Sequence, residues 1–268
     1  MDTYDFESKH IYRERRESAI DKVISIPIGL RRIAYLDTKE ALDTISYLNR
    51  GYKAENLYAI NNNPAELAHL TRKLDSLNLP HVNTVGLDFE DALNRRVPNV
   101  DVIDFDGMGN LSDKLGYMIG RITQSRTKAV FGITILAGRE NISAGMWNIL
   151  LKAYSQYKKD YMNKTSFETD VNVNHFNRLS LLTMMLNYGR TDAKDTIKIN
   201  NKKCQIHITK LYWDVYISIS NQPMLWAIYR CEPHQKLNFE SYKKIIRNTY
   251  CLATPICCHN RFRERAYR

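Results

Sequence analysis

The sequence has few cysteines and no long apolar run. No segment of the 268 residues approaches the roughly 20 consecutive apolar residues of a membrane-spanning helix. The first residues carry too many charges for a secretory signal. The five cysteines are an odd number, all lie beyond position 200, and they form no CxxC pair, so a disulfide framework is not expected. We therefore expect a cytoplasmic protein with reduced thiols and no membrane association.

Several common site motifs are also missing. The sequence contains no GxGxxG dinucleotide motif, no phosphate-binding P-loop and no recognisable nucleophile triad. Metal-ligating residues occur in two places. Cys204 and His207 would lie on opposite faces of a strand, while the second group does not have a recurrent zinc spacing. This second group consists of Cys251, Cys257, Cys258 and His259. We therefore predict no metal site.

The positive charge is unevenly distributed along the chain. The net charge is +10, of which residues 151–268 contribute +11 and residues 1–150 contribute −1. A basic region of this kind favours a polyanionic partner, with nucleic acid as the first candidate and an acidic membrane surface as the second. The alternative is a solvated basic surface without a partner. Tyr154, Tyr157 and Tyr161 are interleaved with lysines, and either stack bases or form a buried helical face. The candidate phosphate contacts are Lys158, Lys159, Arg261, Arg263 and Arg265.

After a helical lead-in over residues 1–30, short apolar segments alternate with helical segments. This alternation over residues 31–137 calls for parallel crossovers, and so predicts a Rossmann-like α/β core with a mostly parallel sheet covered on both faces. Asp37 with Glu40 has the pattern of a capping box at a helix start, and Asn63 precedes a proline as a second helix cap. The predicted strands are 32–36, 56–60, 82–86, 99–104 and 128–136.

The pattern changes after residue 137. Residues 138–195 are predicted to be a helical insertion with helices at 144–163 and 172–187. Residues 196–231 alternate between apolar and polar positions, as antiparallel strands do. With a final helix at 239–250 and a basic tail, residues 196–268 are predicted to complete the same domain.

Polar residues follow the predicted parallel strands. Ligands of open parallel sheets bind at the carboxyl ends of the strands. In this chain those positions hold Asp37, Asn61–Asn63, Asp88–Phe89 and Asp104–Asn110. Asp104 as a cap and Asp106-Gly107 as a tight turn are the structural alternatives to a role in chemistry.

Over residues 31–136 the arrangement resembles the class I S-adenosylmethionine-dependent methyltransferases. Three segments carry the resemblance, "LYAINNNPAEL", "GLDFEDAL" and "DVIDFDGMGN". The resemblance implies that Asp88 contacts the adenine amino group with Phe89 beside the ring, and that Asn61 or Asn62 stands at the ribose position. It also implies S-adenosylmethionine as cofactor, with Asp37 in the first cofactor loop. The residues implied for catalysis are Asp104 and Asp106, with Asn110 as a substrate hydrogen-bonder.

The sequence departs from this family at two positions. The first cofactor loop, Asp37 to Glu40, contains no glycine, and the ribose-binding acid is replaced by asparagine. Three hypotheses therefore follow. The first is a methyltransferase acting on nucleic acid, and the second is an inactive protein of the same fold that binds nucleic acid or serves in an assembly. The third is a methyltransferase of small molecules.

Overall fold

The computed structural model describes residues 6–125, 129–141, 197–199, 202–217 and 223–235. The helices predicted at 144–163, 172–187 and 239–250 lie outside these ranges, as do Lys158, Lys159, Arg261, Arg263 and Arg265. The domain boundaries stay predictions. The helices are α1 (Phe6–Val23), α2 (Leu42–Asn49), α3 (Pro64–Ser76), α4 (Phe89–Arg95) and α5 (Asp113–Ser125). The strands are β1 (Ile33–Leu36), β2 (Leu57–Ile60), β3 (Asn83–Val85), β4 (Val102–Ser112), β5 (Val130–Asn141), β6 (Ile197–Ile199), β7 (Lys202–Ile217) and β8 (Pro223–Gln235).

Within the described ranges, eight strands form one sheet in the order β3-β2-β1-β4-β5-β8-β7-β6. The first five pair in parallel, in the 3-2-1-4-5 order of a Rossmann-type sheet. β8 pairs antiparallel with β5, and β7 and β6 continue in antiparallel pairs. The predicted fold class, a Rossmann-like, mostly parallel sheet with an antiparallel C-terminal part, is confirmed.

Helices cover both faces of the sheet. On one face, β-strand residues such as Tyr35 and Trp226 pack with α1, α2 and α3 through Ile20, Tyr47 and Leu70. On the other face, α4 and α5 pack against a second apolar core. Because successive residues of a strand point to opposite faces, Asp104 and Asp106 belong to the face that α1 covers, opposite Phe105.

The start of α2 differs from the prediction. The helix begins at Leu42 after Ala41, whose φ of 57° lies in the left-handed region and whose side chain makes no capping hydrogen bond. Asp37 accepts from the N–H of Thr44 in the first turn of α2, as a capping side chain does, but the predicted capping box is wrong in its start of the helix and in its pairing of Asp37 with Glu40. The cap of α3 is confirmed, since Asn63 Oδ1 accepts from the backbone N–H groups of Ala65 and Glu66 at 3.0 and 3.3 Å.

The fourth strand does not end at Asp104. β4 continues to Ser112, and Asp106 is in register with Thr134 of β5, so Asp106-Gly107 is not a tight turn and Asp104 is not a cap. Irregular pairing follows Asp106. Helix α5 was not predicted, because its sequence contains two glycines, which disfavour helix formation. Its apolar residues at helical spacing are nevertheless buried, namely Leu115, Ile119 and Ile122.

The alternation predicted for residues 204–219 corresponds largely to one long strand. β7 pairs with β8 from Cys204 to Ile217, with a register shift between Lys210 and Tyr212. Leu211 is the extra residue at this point, as in a β-bulge. The bulge explains why the apolar positions change parity between Ile208 and Leu211.

Candidate cofactor and active site

A row of hydrogen-bonded polar side chains lies at the carboxyl ends of β1, β2 and β3. The Asn61 amide donates to the backbone oxygen of Asp37 at 2.8 Å and to Glu66 Oε2 at 3.2 Å. Asn61 Oδ1 accepts from the N–H of Asn63 at 2.8 Å. The Asn61 side-chain oxygen thus already accepts one hydrogen bond within the protein. Glu66, in the first turn of α3, supplies the acid beside the end of β2.

The row continues to the next strand end. Asn62 Nδ2 donates to Asp88 Oδ1 at 2.7 Å, and both residues are exposed. Asp88 stands at the N-cap of α4 without making a capping hydrogen bond. Phe89 is buried and packs edge-on against Phe105, with ring centroids 5.1 Å apart. The structure therefore brings Asn61, Asn62 and Asp88 together, while Phe89 belongs to the adjoining core.

Asp37 directs its carboxylate into the protein. It accepts from the N–H of Thr38 at 2.8 Å and from the N–H and hydroxyl of Thr44 at 3.0 and 2.6 Å. Burial, reinforced by Asp43, raises the pKa of Asp37 to about 7, although these three hydrogen bonds favour the ionised form. The Asp37 side chain is therefore buried and is not presented at the surface of the first strand end.

Asp104 is buried beneath α1, with 1% of its surface exposed. Its Oδ2 accepts from the Tyr47 hydroxyl at 2.5 Å and lies 3.0 Å from Arg16 Nη2. Its Oδ1 has no hydrogen-bond partner among the described residues. Burial raises the pKa of Asp104, while Arg16 and the Tyr47 hydrogen bond oppose the shift. The position suits a positioning role better than direct contact with a substrate.

One guanidinium joins three carboxylates under α1. Arg16 Nη1 lies 2.8 Å from Asp106 Oδ2, and Arg16 Nη2 lies 3.1 Å from Asp43 Oδ1 in addition to its contact with Asp104. Arg13 Nε also bonds Asp43 at 2.8 Å. We call these five residues the Arg16 cluster. The Asp106 side chain is 20% exposed, and so Asp106 is its most accessible carboxylate.

Sequence reasoning found Asp104 and Asp106 but missed their cationic partners. The charged helix α1 has no sequence feature that marks Arg13 or Arg16 as buried, and their partners lie up to 90 positions away. The pairing of Asn110 with Leu136 places its backbone further along β4. Its side chain lies outside what the structure describes.

Glu17 forms a second buried polar site beside the cluster. It is 1% exposed, and its Oε2 accepts from the Ser46 hydroxyl at 2.6 Å. Within the part of the chain that the structure describes, its Oε1 has no hydrogen-bond partner. Burial raises the pKa of Glu17 to about 8. A carboxyl group in this setting is held largely in its protonated form near neutral pH.

Comparisons with known proteins found structural similarity only. No protein-family model matches the chain, and no curated protein matches it. Magnesium protoporphyrin IX methyltransferase from Synechocystis PCC 6803, solved with bound SAH, shares 10% identity at a TM-score of 0.47, over 86% of this chain and 89% of its own. An rRNA methylase from Streptococcus thermophilus shares 13% sequence identity at a TM-score of 0.43, over 83% of this chain and 96% of its own.

The third similar structure, TrmN from Thermus thermophilus, shares 11% identity at a TM-score of 0.45 over 81% of this chain. The chain spans about half of that protein, 48% of its length. Since none of these TM-scores reaches 0.5, the assignment of the fold depends on the order and direction of the strands described above.

Two further observations concern the described ranges. No group of three or more side chains suited to hold a metal ion is found among those residues. None of the helices described is both long and apolar enough to cross a membrane.

Proposed function

We propose that this chain is an S-adenosylmethionine-dependent methyltransferase that acts on nucleic acid. The observation that carries the proposal is the row of polar side chains from Asp88 through Asn62, Asn61 and Glu66 to the Asp37 carbonyl. It follows three adjacent strand ends, where open parallel sheets bind nucleotide-like ligands. The basic excess in residues 151–268 supports a polyanionic methyl acceptor.

The residues of this edge fit the cofactor. Each carboxylate has lone pairs for several hydrogen bonds, so Glu66 and Asp88 can accept from ribose hydroxyls and an adenine amino group while they bond Asn61 and Asn62. The first loop lacks glycine, yet Ala41 adopts the left-handed conformation that glycine favours. When bound, the cofactor would supply a sulfonium methyl group: a nucleophilic nitrogen or oxygen of the acceptor would bond to the methyl carbon as the carbon–sulfur bond breaks, and S-adenosylhomocysteine would leave.

The chain's own contribution to the reaction is positioning and acceptance of a hydrogen bond or a proton. Asp106, partly exposed at the last position of β4 before its pairing with β5 becomes irregular, is placed to accept from the nucleophile of the substrate. Arg16 fixes its carboxylate, and Asp104 fixes Arg16 from beneath. Asn110 is proposed to hydrogen-bond the substrate further along the same strand.

Calorimetric titration with S-adenosylhomocysteine tests the cofactor site. We expect micromolar binding by the wild type and a loss of about tenfold or more for Glu66→Gln, because a hydrogen bond to a charged group contributes roughly 1.5–3 kcal/mol. Asp75→Asn, an exposed residue near the other end of α3, is the matched control and should bind as the wild type does. Absence of heat from folded wild-type protein would contradict the proposal, as would equal affinity of Glu66→Gln.

A second candidate is an inactive protein of the same fold that binds nucleic acid or serves in an assembly. It is favoured by the buried, ion-paired Asp104 and by the absence of glycine from the loop between β1 and α2. Salt-sensitive binding of an oligonucleotide by protein that gives no heat with S-adenosylhomocysteine would support it. Methyl transfer above background from the radiolabelled cofactor to total tRNA or to duplex DNA would exclude it.

A further inference from the structure

A basic groove lies between the loop that follows β1 and the flank of α3. It has a volume of about 400 Å³ and is lined by Lys39, Glu40, His69, Arg72 and Lys73. All of these except the half-buried Glu40 are exposed. Three basic side chains and one acid thus line a shallow, open surface formed by two separate elements.

The α3 side of the groove is a regular feature of that helix. His69, Arg72 and Lys73 have the spacing of residues that share one helix face. Leu70 and Leu74 are buried in the core beneath. Arg72 is held in place, since its Nε donates to the Ala68 carbonyl at 3.2 Å and its Nη2 lies 3.2 Å from His69 Nδ1. The guanidinium is therefore ordered before any ligand binds.

The cations converge from two directions. Lys39 lies in the loop after β1, so its position near Arg72 and Lys73 is produced by the fold and not by helical periodicity. Like charges gathered on one surface repel one another, and an anion in the groove relieves that repulsion. A planar guanidinium and two ammonium groups are the donors that phosphate oxygens accept from most readily.

We propose that this groove binds the phosphodiester backbone of a nucleic-acid strand. The inference rests on the proposed function, because it supplies a docking path for that function's methyl acceptor. Glu66 of the polar row lies on the same helix, seven residues before Lys73, a spacing that returns to the same helix face about 10 Å further along. A strand seated in the groove therefore passes close to the candidate cofactor site. The contacts are to phosphates, and so they carry no sequence preference.

The test is fluorescence anisotropy with a 5′-fluorescein-labelled oligouridine, 12 nucleotides in length, measured between 50 and 200 mM salt. Arg72→Ala/Lys73→Ala should remove about two phosphate contacts, which lowers the slope of log affinity against log salt by about 1.4 and the affinity at 50 mM salt by about 50-fold. Both side chains are exposed and alanine is the best helix former, so the fold should persist.

The matched control is Arg95→Ala/Arg96→Ala. These exposed residues end α4 on the opposite face of the sheet, and their removal changes the net charge by the same amount. We expect a much smaller loss, with little change in the salt slope. Glu40→Gln removes the acid from the groove and should tighten binding several-fold. An oligothymidine of equal length should show the same ranking of variants, because the groove recognises phosphate.

The groove proposal and the proposed methyltransferase function are contradicted by different experimental results. Oligonucleotide binding that Arg72→Ala/Lys73→Ala weakens no more than the control would overturn the groove proposal, as would wild-type protein that binds neither oligonucleotide. In both cases binding of S-adenosylhomocysteine would still support a cofactor site. Conversely, loss of S-adenosylhomocysteine affinity in the groove variant would assign these residues to the cofactor site and reject the groove as a separate surface.

Discussion

Replacement of Arg16 by methionine would leave three carboxylates without their shared cation. Arg16 is 5% exposed, and Asp104 below it is 1% exposed, so water cannot readily take the place of the guanidinium. Removal of one partner from a buried ion pair costs about 3–5 kcal/mol, because the remaining charge stays desolvated. We expect a loss of that size in the free energy of unfolding of Arg16→Met at pH 7.5.

The expected loss depends on pH in a definite direction. Without Arg16 the remaining carboxyls can avoid an uncompensated charge by taking up protons, and this becomes easier as pH falls. Urea denaturation at pH 7.5 and pH 5.5 should therefore show a smaller difference between wild type and Arg16→Met at the lower pH. Arg15→Met is the matched control, since the neighbouring Arg15 is exposed and should cost less than about 1 kcal/mol.

Two results for Arg16→Met would contradict this prediction. One is a loss of less than about 1 kcal/mol in the free energy of unfolding at pH 7.5, and the other is a loss that grows as pH falls. The first result would show that the carboxylates are hydrated and that the Arg16 cluster is not desolvated. The second would show that the carboxyls do not take up protons when their cation is removed.

Two further substitutions test buried groups on the same face. In the folded protein Glu17 has a pKa of about 8 instead of the ordinary 4.5, so its contribution to stability is present below pH 4.5 and is lost as pH rises through 8. Thermal unfolding of Glu17→Gln should therefore show a gain over wild type at pH 8.5 that shrinks toward pH 5.5, and a constant difference would contradict the shift. A Cβ at Gly132 would lie 2.8 Å from Asp104 Oδ1, so Gly132→Ala should cost about 1–3 kcal/mol in urea denaturation. Gly29→Ala, whose Cβ would meet nothing closer than 3.8 Å, should be nearly neutral, and equal losses for the two would dismiss the clash.

Local patterns predicted β1 and β2 because these strands are short, apolar and bounded by polar or turn residues. Prediction from local patterns was wrong at the end of β4. Asp106-Gly107 has the sequence of a tight turn, but these residues continue a strand that pairs with β5. Local prediction failed again at α5, whose glycines mask a buried apolar face. In both places long-range pairing and packing override local preference.

The candidate site was predictable in position but not in its contacts. The polar strand ends identified Asn61, Asn62 and Asp88, because the carboxyl edge of a parallel sheet is where such residues meet. The role of Glu66 was not predictable, since a glutamate in the first turn of a helix has an ordinary capping explanation. The burial of Arg16 depends on partners in α2 and β4, and no local pattern encodes those partners.

The described sheet has short strands at both of its margins. β3 at one end and β6 at the other are each three residues long, while β7 inside the sheet has sixteen. An exposed strand edge is a template on which another chain can add a strand, and its capacity grows with the number of unpaired backbone groups. Among the residues described, β3 therefore offers little for strand addition. On the other side β6 pairs only with residues 202–204 of β7, so the outer edge of β7 from residue 205 to 217 has no strand partner among the described residues and is the longer template for strand addition.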